Sequence, residues 1–220
     1  MRIARLAPSR RVWIFDLDNT LHDATTAIFP SMHVQINDFL KRQFGLDDEG
    51  ANRMRRDFWM RYGTTMDGLM RHHGIDPRRF LAETHVFPEL AEIVVHENAL
   101  KHALERLGGM KLVFSNAPRH YVEGVLRAMG LARYFDAVYT IEDARYRGKS
   151  ALHGFQVLLR KHKLDPHRCA FIDDILGNLR TAHRLGMSTV WVSRSRRRAP
   201  FVDLRVASVV ELPRLVFRYG

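Results

Sequence analysis

The chain has 220 residues, 46% of them hydrophobic and 27% charged, a balance that excludes a disordered polymer. No apolar run approaches the roughly 18 residues of a membrane span, and the lone cysteine, Cys169, excludes an internal disulfide. Lys and Arg total 35 against 24 acids, a net charge of +11, so anionic partners are favoured.

The N-terminus, MRIARLAPSRR, is basic and no apolar stretch with a cleavage site follows it. The expectation is a protein without a signal peptide, in the reducing cytoplasm. The first apolar run, Val12 to Phe15, reads as a buried strand, and it leads directly into Asp16, Asp18 and Thr20. From Asp23 to about Val95 no strand is expected. Helical stretches cover Ala27 to Phe44, Glu49 to Tyr62, Thr64 to His73 and Pro77 to Thr84, punctuated by Gly45, Gly63 and the sequence GIDP. The stripe Phe58, Trp59, Tyr62, Met66, Leu69 and Met70 reads as this insertion's own core, since amphipathic helices routinely bury such stripes.

Further strands are expected at Lys111–Phe114, Ala137–Thr140, Cys169–Ile172 and Ser188–Val192, with a weaker candidate at Ala207–Val210. Between them, Pro118–Met129, Ala151–His162 and Ile175–Leu185 carry apolar residues at i, i+3, i+4 and i+7 spacing. Gly130 and Gly186 close two of these helices. Strands alternating with helices predict a parallel sheet covered on both faces.

Ligands of an open parallel sheet bind beyond the carboxyl ends of its strands. There the sequence offers Asp16 and Asp18, then Ser115 and Asn116, then Lys149, then Asp173 and Asp174. Singly, each has an ordinary role as a turn former, a cap or a surface charge. Four converging carboxylates repel one another and call for a cation, and an all-oxygen set beside phosphate chemistry suits Mg2+. Where the chain bends after Asp16, one carboxylate can attack phosphorus while the other trades protons with the leaving group and with water.

The segments DLDNT (Asp16 to Thr20), Ser115-Asn116, Lys149 and Asp173-Asp174, in this order, resemble the four motifs of the haloacid-dehalogenase-like (HAD) phosphohydrolases. The resemblance implies an α/β, Rossmann-like core formed by residues 1–22 and 96–220, with residues 23–95 as a helical cap. It implies Asp16 as nucleophile and Asp18 as acid/base. Mg2+ would be bound by Asp16, the Asp18 backbone carbonyl, Asp173 and Asp174, and the phosphate by Ser115, Asn116 and Lys149. Dehalogenating members lack the second aspartate of the first motif, so Asp18 argues for phosphate chemistry. Longer stretches, WIFDLDNTLH, YGTTMDGLMRHHGIDPRRFL (Tyr62 to Leu81) and FIDDILGNLRTAHRLGM (Phe171 to Met187), are similar to the bacterial pyrimidine 5′-nucleotidase branch. That similarity implies UMP- or CMP-type nucleoside monophosphates as substrates.

Three further residues are weaker site candidates: Thr20 in the first motif, His22 at the expected mouth, and Asn178 as a hydrogen-bond donor to a metal-site carboxylate. His72 and His73 are expected on the surface. The third motif departs from the usual Lys-Pro and reads GKS (Gly148 to Ser150). A P-loop would need glycine where Asp143 stands, so that reading is set aside. Two rivals remain: a phosphatase for small phosphorylated acids or sugars such as phosphoglycolate, and a nucleic-acid binder on the same scaffold using the basic run Arg194 to Arg198.

Overall fold

The computed structural model describes residues 10–219, so most of the basic N-terminal stretch lies outside the described residues. The strands are β1 Val12–Phe15, β2 Met110–Phe114, β3 Ala137–Tyr139, β4 Cys169–Asp173, β5 Ser188–Val192 and β6 Leu204–Val206. They form one sheet in the order β3-β2-β1-β4-β5-β6, with every neighbouring pair parallel. The predicted α/β class is therefore observed. The weaker strand expected at Ala207–Val210 is not. The sixth strand ends at Val206, and Ser208 caps a short 3-10 turn, Val209–Glu211, by accepting a hydrogen bond from the Val210 N–H. Val209 is buried as a turn residue, which is why its apolar signal resembled a strand.

Alternate residues of each strand point to opposite faces. Trp13, Phe15, Val113, Ile172 and Val190 meet one layer of apolar side chains, and Val12, Ile14, Leu112, Phe114 and Phe171 meet the other. The first face is covered by α6 Leu100–Arg106, α7 Arg119–Ala128 and α10 Leu212–Tyr219, and the second by α8 Leu152–Lys161 and α9 Leu176–Arg184. On the second face Phe114, Phe155 and Phe171 pack edge to face, the geometry that aromatic quadrupoles favour. Among the described residues no helix is long and apolar enough to cross a membrane.

Between β1 and the rest of the sheet lie α1 Ile28–Phe44, α2 Asp48–Tyr62, α3 Thr65–His73 and α4 Pro77–Thr84, followed by the short α5 Leu90–Ile93. Most of these starts and stops have a local cause. Asp47, Thr64 and Asp76 accept hydrogen bonds at the first turns of α2, α3 and α4. Gly45, Gly63 and Gly74 end α1, α2 and α3 in the left-handed conformation. The segment has its own core of Ile36, Phe39, Leu40, Met66, Leu69, Phe80 and Leu81. A bridge between Asp23 and Val95 brings its two ends together.

The predicted apolar stripe divides. Met66 and Leu69 are buried in this core, and Phe58 and Met70 pack against it. Trp59, at 55% exposure, does not belong to the core, nor does Tyr62, and both line a cavity instead. Reading the whole stripe as core is thus corrected at Trp59 and Tyr62, because α2 turns that end of its face toward the sheet's carboxyl edge.

Candidate active site

Strand order reverses between β1 and β4, the switch point at which open sheets leave a crevice. Phe15 pairs in register with Ile172, and the Asp16 N–H donates to the Ile172 carbonyl at 2.9 Å. This register brings the carboxylates of Asp16 and Asp173 side by side. Asp16, Asp173 and Asp174 each offer an oxygen, and these oxygens lie within 4.8 Å of one another. All three donors are hard carboxylate oxygens, a set that fits a divalent cation such as Mg2+.

One ammonium stands among them. Lys149, 2% exposed, hydrogen-bonds Asp16 and reaches Asp173 Oδ2 at 3.1 Å. The loop that carries it is pinned by Asn116, whose side-chain oxygen accepts the Lys149 backbone N–H at 2.9 Å. Ser115 is buried and its hydroxyl accepts from the Ala117 N–H at 3.0 Å, shaping the turn after β2. Thr20 donates to Asp16 Oδ2 at 3.1 Å. Asn178 donates to both oxygens of Asp173, at 3.2 and 3.1 Å, and the Ile175 N–H adds a bond of 2.6 Å to Oδ1.

These contacts set the acidities. Burial pushes Asp16 up to about 7; the Lys149 charge opposes it, and the Asp173 and Asp18 charges add to it. Burial, with the Asp16 and Asp173 charges behind it, pushes Asp174 up to about 8. Burial works against the Lys149 ammonium, yet the charges of Asp16 and Asp173 outweigh it and hold the group above its ordinary value.

The Asp18 carboxylate points to different partners. Its Oδ1 accepts from the Tyr121 hydroxyl at 2.5 Å and lies 2.9 Å from His22 Nε2. Burial raises its pKa, but the His22 and Tyr121 hydrogen bonds and the nearby charges prevail and hold it below the ordinary carboxyl range. The turn that swings it there needs Asn19 at φ 59°, and the Asn19 side-chain oxygen accepts from the N–H groups of Ala24 and Thr25. Asparagine tolerates this left-handed conformation better than most residues. His22, expected at the mouth, is instead buried behind Asp18 and is not among the cavity-lining residues. His72 and His73 lie on the exposed surface, as expected.

Tyr121 was legible in the sequence only as a helix-core position. Its hydroxyl reaches a residue 103 positions away, and periodicity carries no signal for such a bond. His85, which stacks edge-on against Tyr121 at 6.0 Å and also lines the cavity, was likewise missed; burial pushes its pKa down to about 4, so it is neutral.

The cavity has a volume of about 1320 Å³. Its floor includes Asp16, Asp18, Asn116, Lys149, Asp174 and Asn178, and its opposite wall comes from the helical segment. The two sides touch where the Ser150 hydroxyl donates to the Tyr62 carbonyl at 3.3 Å. Gly63 permits this approach: its φ is +85°, and a Cβ there would lie 2.7 Å from Ser150 Oγ. The basic run at Arg194 to Arg198 forms an exposed loop after β5 and contributes nothing to the cavity lining.

A parallel sheet with three carboxylates and a lysine at its switch point defines an α/β protein with an acidic site at the carboxyl edge of its strands. The family model for haloacid dehalogenase-like hydrolases matches residues 11–186, and the chain belongs to that family, whose members are enzymes. Among curated proteins it is 26% identical over 200 residues to phosphate metabolism protein 8 of Saccharomyces cerevisiae, a match covering 83% of this chain. The match spans 61% of that relative's length. Among solved structures it superposes on a HAD phosphatase from Thermococcus onnurineus with a TM-score of 0.67 at 20% identity, covering 94% of this chain and 97% of that one. It also matches the L-2-haloacid dehalogenase of Xanthobacter autotrophicus with chloropropionic acid covalently bound, at TM-score 0.61 and 17% identity, covering 94% and 98%. These structural likenesses establish the fold.

Proposed function

We propose that the chain is a Mg2+-dependent phosphomonoesterase that works through an aspartyl phosphate on Asp16, with pyrimidine nucleoside monophosphates as substrates. The observation that carries this reading is the separation of two aspartates two positions apart. Asp16 faces Lys149 and the acids of β4, while Asp18 is held apart by Tyr121 and His22. A nucleophile and a proton carrier need that division of labour.

Asp16, Asp173 and Asp174 would hold Mg2+, with the Asp18 backbone carbonyl as a fourth ligand. The ion supplies positive charge that offsets the crowded carboxylates and the phosphate oxygens. Lys149 and the Ser115-Asn116 turn bind the transferring phosphoryl group and orient it toward Asp16. An Asp16 oxygen forms a bond to phosphorus as the ester P–O bond breaks, and the departing alkoxide takes a proton from Asp18. Water then attacks the acyl phosphate, gives its proton to Asp18, and frees Asp16 and inorganic phosphate. The lowered pKa of Asp18 suits the second step, in which a carboxylate must accept a proton; the first draws on its minority protonated form.

Residues 23–95 act in this reading as a cap over the site. Asp18 favours phosphate over halide chemistry, and the breadth of the cavity favours a nucleotide over the rival class of small phosphorylated acids or sugars. The test is phosphate release, with and without Mg2+, over UMP, CMP, purine nucleotides, ribose 5-phosphate and phosphoglycolate. Release from UMP and CMP that stops on chelation is expected. Activity confined to phosphoglycolate or the sugar phosphate would remove the nucleotide assignment.

A further inference from the structure

The wall of the cavity opposite Asp16 carries a cation with no counter-ion. Arg55 on α2 donates from Nε to Asn37 Oδ1 and from Nη2 to Asn52 Oδ1, both at 3.2 Å. Asn37 in turn donates to Asn52 Oδ1 at 3.0 Å, so two neutral amides lock the guanidinium plane. Among the described residues Nη1 has no hydrogen-bond partner, and no carboxylate pairs with Arg55. The helical segment's Asp67 and Glu49 are engaged elsewhere, with Arg71 and Arg53. A half-buried guanidinium fixed by one edge leaves its other donors oriented and available.

One helical turn further on, Trp59 follows Arg55 at i+4 on the same face, and both line the cavity. Trp59 is 55% exposed, whereas Trp13 and Trp191 are 0% and 6% exposed. A large aromatic surface left open inside a cavity is a stacking platform awaiting a flat partner. The helix also sets a ruler. Gly63, at the C-terminus of α2, abuts Ser150, next to Lys149. At 1.5 Å of rise per residue, Trp59 stands about 6 Å and Arg55 about 12 Å back along the axis from that contact. A group held at Arg55 while phosphorus sits at Asp16 belongs to a molecule longer than a two- or three-carbon acid.

We propose that Trp59 and Arg55 recognise the pyrimidine ring of the substrate, Trp59 by stacking on its face and Arg55 by donating from Nη1 to the O2 carbonyl that uracil and cytosine share. This assignment rests on the nucleotidase reading and names the residues that select the base. Arg55 acts on a carbonyl that both pyrimidines carry, so UMP and CMP are accepted alike.

The experiment compares wild type, Trp59→Ala and Arg55→Met in two arms. In the first, kcat/KM is measured with Mg2+ on UMP, on phosphoglycolate and on ribose 5-phosphate, the last two lacking the base. The preference for UMP should fall about tenfold or more in each variant, mainly through KM. Trp59 is exposed, so its substitution does not endanger the fold. A wild type that favours neither UMP nor ribose 5-phosphate, or variants that lose both activities in step, would overturn the proposal. So would a preference for phosphoglycolate abolished by Arg55→Met, which would make Arg55 an anion site. In the second arm, uridine, which carries no phosphate, is titrated against tryptophan fluorescence. Saturable quenching in wild type, weakened in Arg55→Met, is expected. Quenching without any phosphate release would leave this inference standing and remove the phosphatase reading; release from UMP without quenching by uridine would do the reverse.

Discussion

Replacing Lys149 with methionine should destabilise the metal-free protein by about 3–5 kcal/mol, the usual cost of removing one partner from a buried ion pair. The Lys149 ammonium lies between Asp16 and Asp173, and its side chain is 3% exposed. Its stem runs close to Phe114 and Phe171, whose ring centroids are each 5.8 Å from Nζ, and methionine keeps that apolar packing. The change therefore removes charge rather than volume, and it leaves three crowded acids with no ammonium among them. For a chain of this size each kcal/mol moves Tm by about 2–4 °C, so a fall of about 6–20 °C is expected. Asp16→Asn removes one of the crowded acids and leaves Lys149 paired with Asp173, so it should stay within about 1 kcal/mol of wild type despite losing all turnover. Adding Asp16→Asn to Lys149→Met should recover part of the loss, since the two sites touch. The assay is thermal melting in chelator-containing buffer at neutral pH. If Lys149→Met melts within 2 °C of wild type, about the shift of a single kcal/mol, the electrostatic account of the site is wrong.

Folded-state values of about 7 for Asp16 and about 8 for Asp174 lie above the ordinary carboxyl range, so the folded protein retains protons that the unfolded chain has released. The resulting stability is present in acid and is lost as pH rises through 7 and 8. Metal-free Tm should therefore fall between pH 5 and 8.5, and Mg2+ should raise Tm more at pH 8.5 than at pH 5; equal increments would contradict this. Tyr121→Phe removes a 2.5 Å hydrogen bond to Asp18 while keeping the ring packed against Phe87. At about 1.5–3 kcal/mol for a bond to a charged group, turnover should drop roughly 10- to 200-fold, and Tm should fall by about 3–12 °C. An unchanged kcat would show that Tyr121 does not position Asp18. Asn178→Ala, which removes one hydrogen bond from each oxygen of Asp173, should weaken Mg2+ binding by roughly 10- to 100-fold in a metal titration.

Most of the sheet was legible because β1 is a fully apolar run and β2, β4 and β5 carry short uninterrupted apolar stretches, Leu112–Phe114, Cys169–Ile172 and Val190–Val192, that end in polar residues, as parallel strands buried on both faces do. The site's main residues were legible for the same reason: each stands at a strand's carboxyl end, or on a loop leading from one. The gaps have physical causes. Helices α5 and α6 are only 4 and 7 residues long, too short for a period of 3.6 to repeat convincingly. The strand β6 has one fully buried residue, Val206, so the apolar signal drifted toward Val209. Trp59 carried the right periodicity for a core residue and turned out to face the cavity, because periodicity gives a face and not what that face meets. Tyr121 and Arg55 owe their interest to polar tips at the end of otherwise ordinary helix positions, and only three-dimensional contacts disclose those.

The central claim is that Asp16 becomes phosphorylated during turnover. Borohydride reduction of the enzyme mixed with Mg2+ and UMP, followed by peptide mass mapping, tests it directly, because an aspartyl phosphate is reduced to homoserine. Conversion at position 16 that requires both Mg2+ and substrate is predicted. Continued phosphate release with position 16 left as aspartate, or reduction at a different carboxylate, would contradict the account.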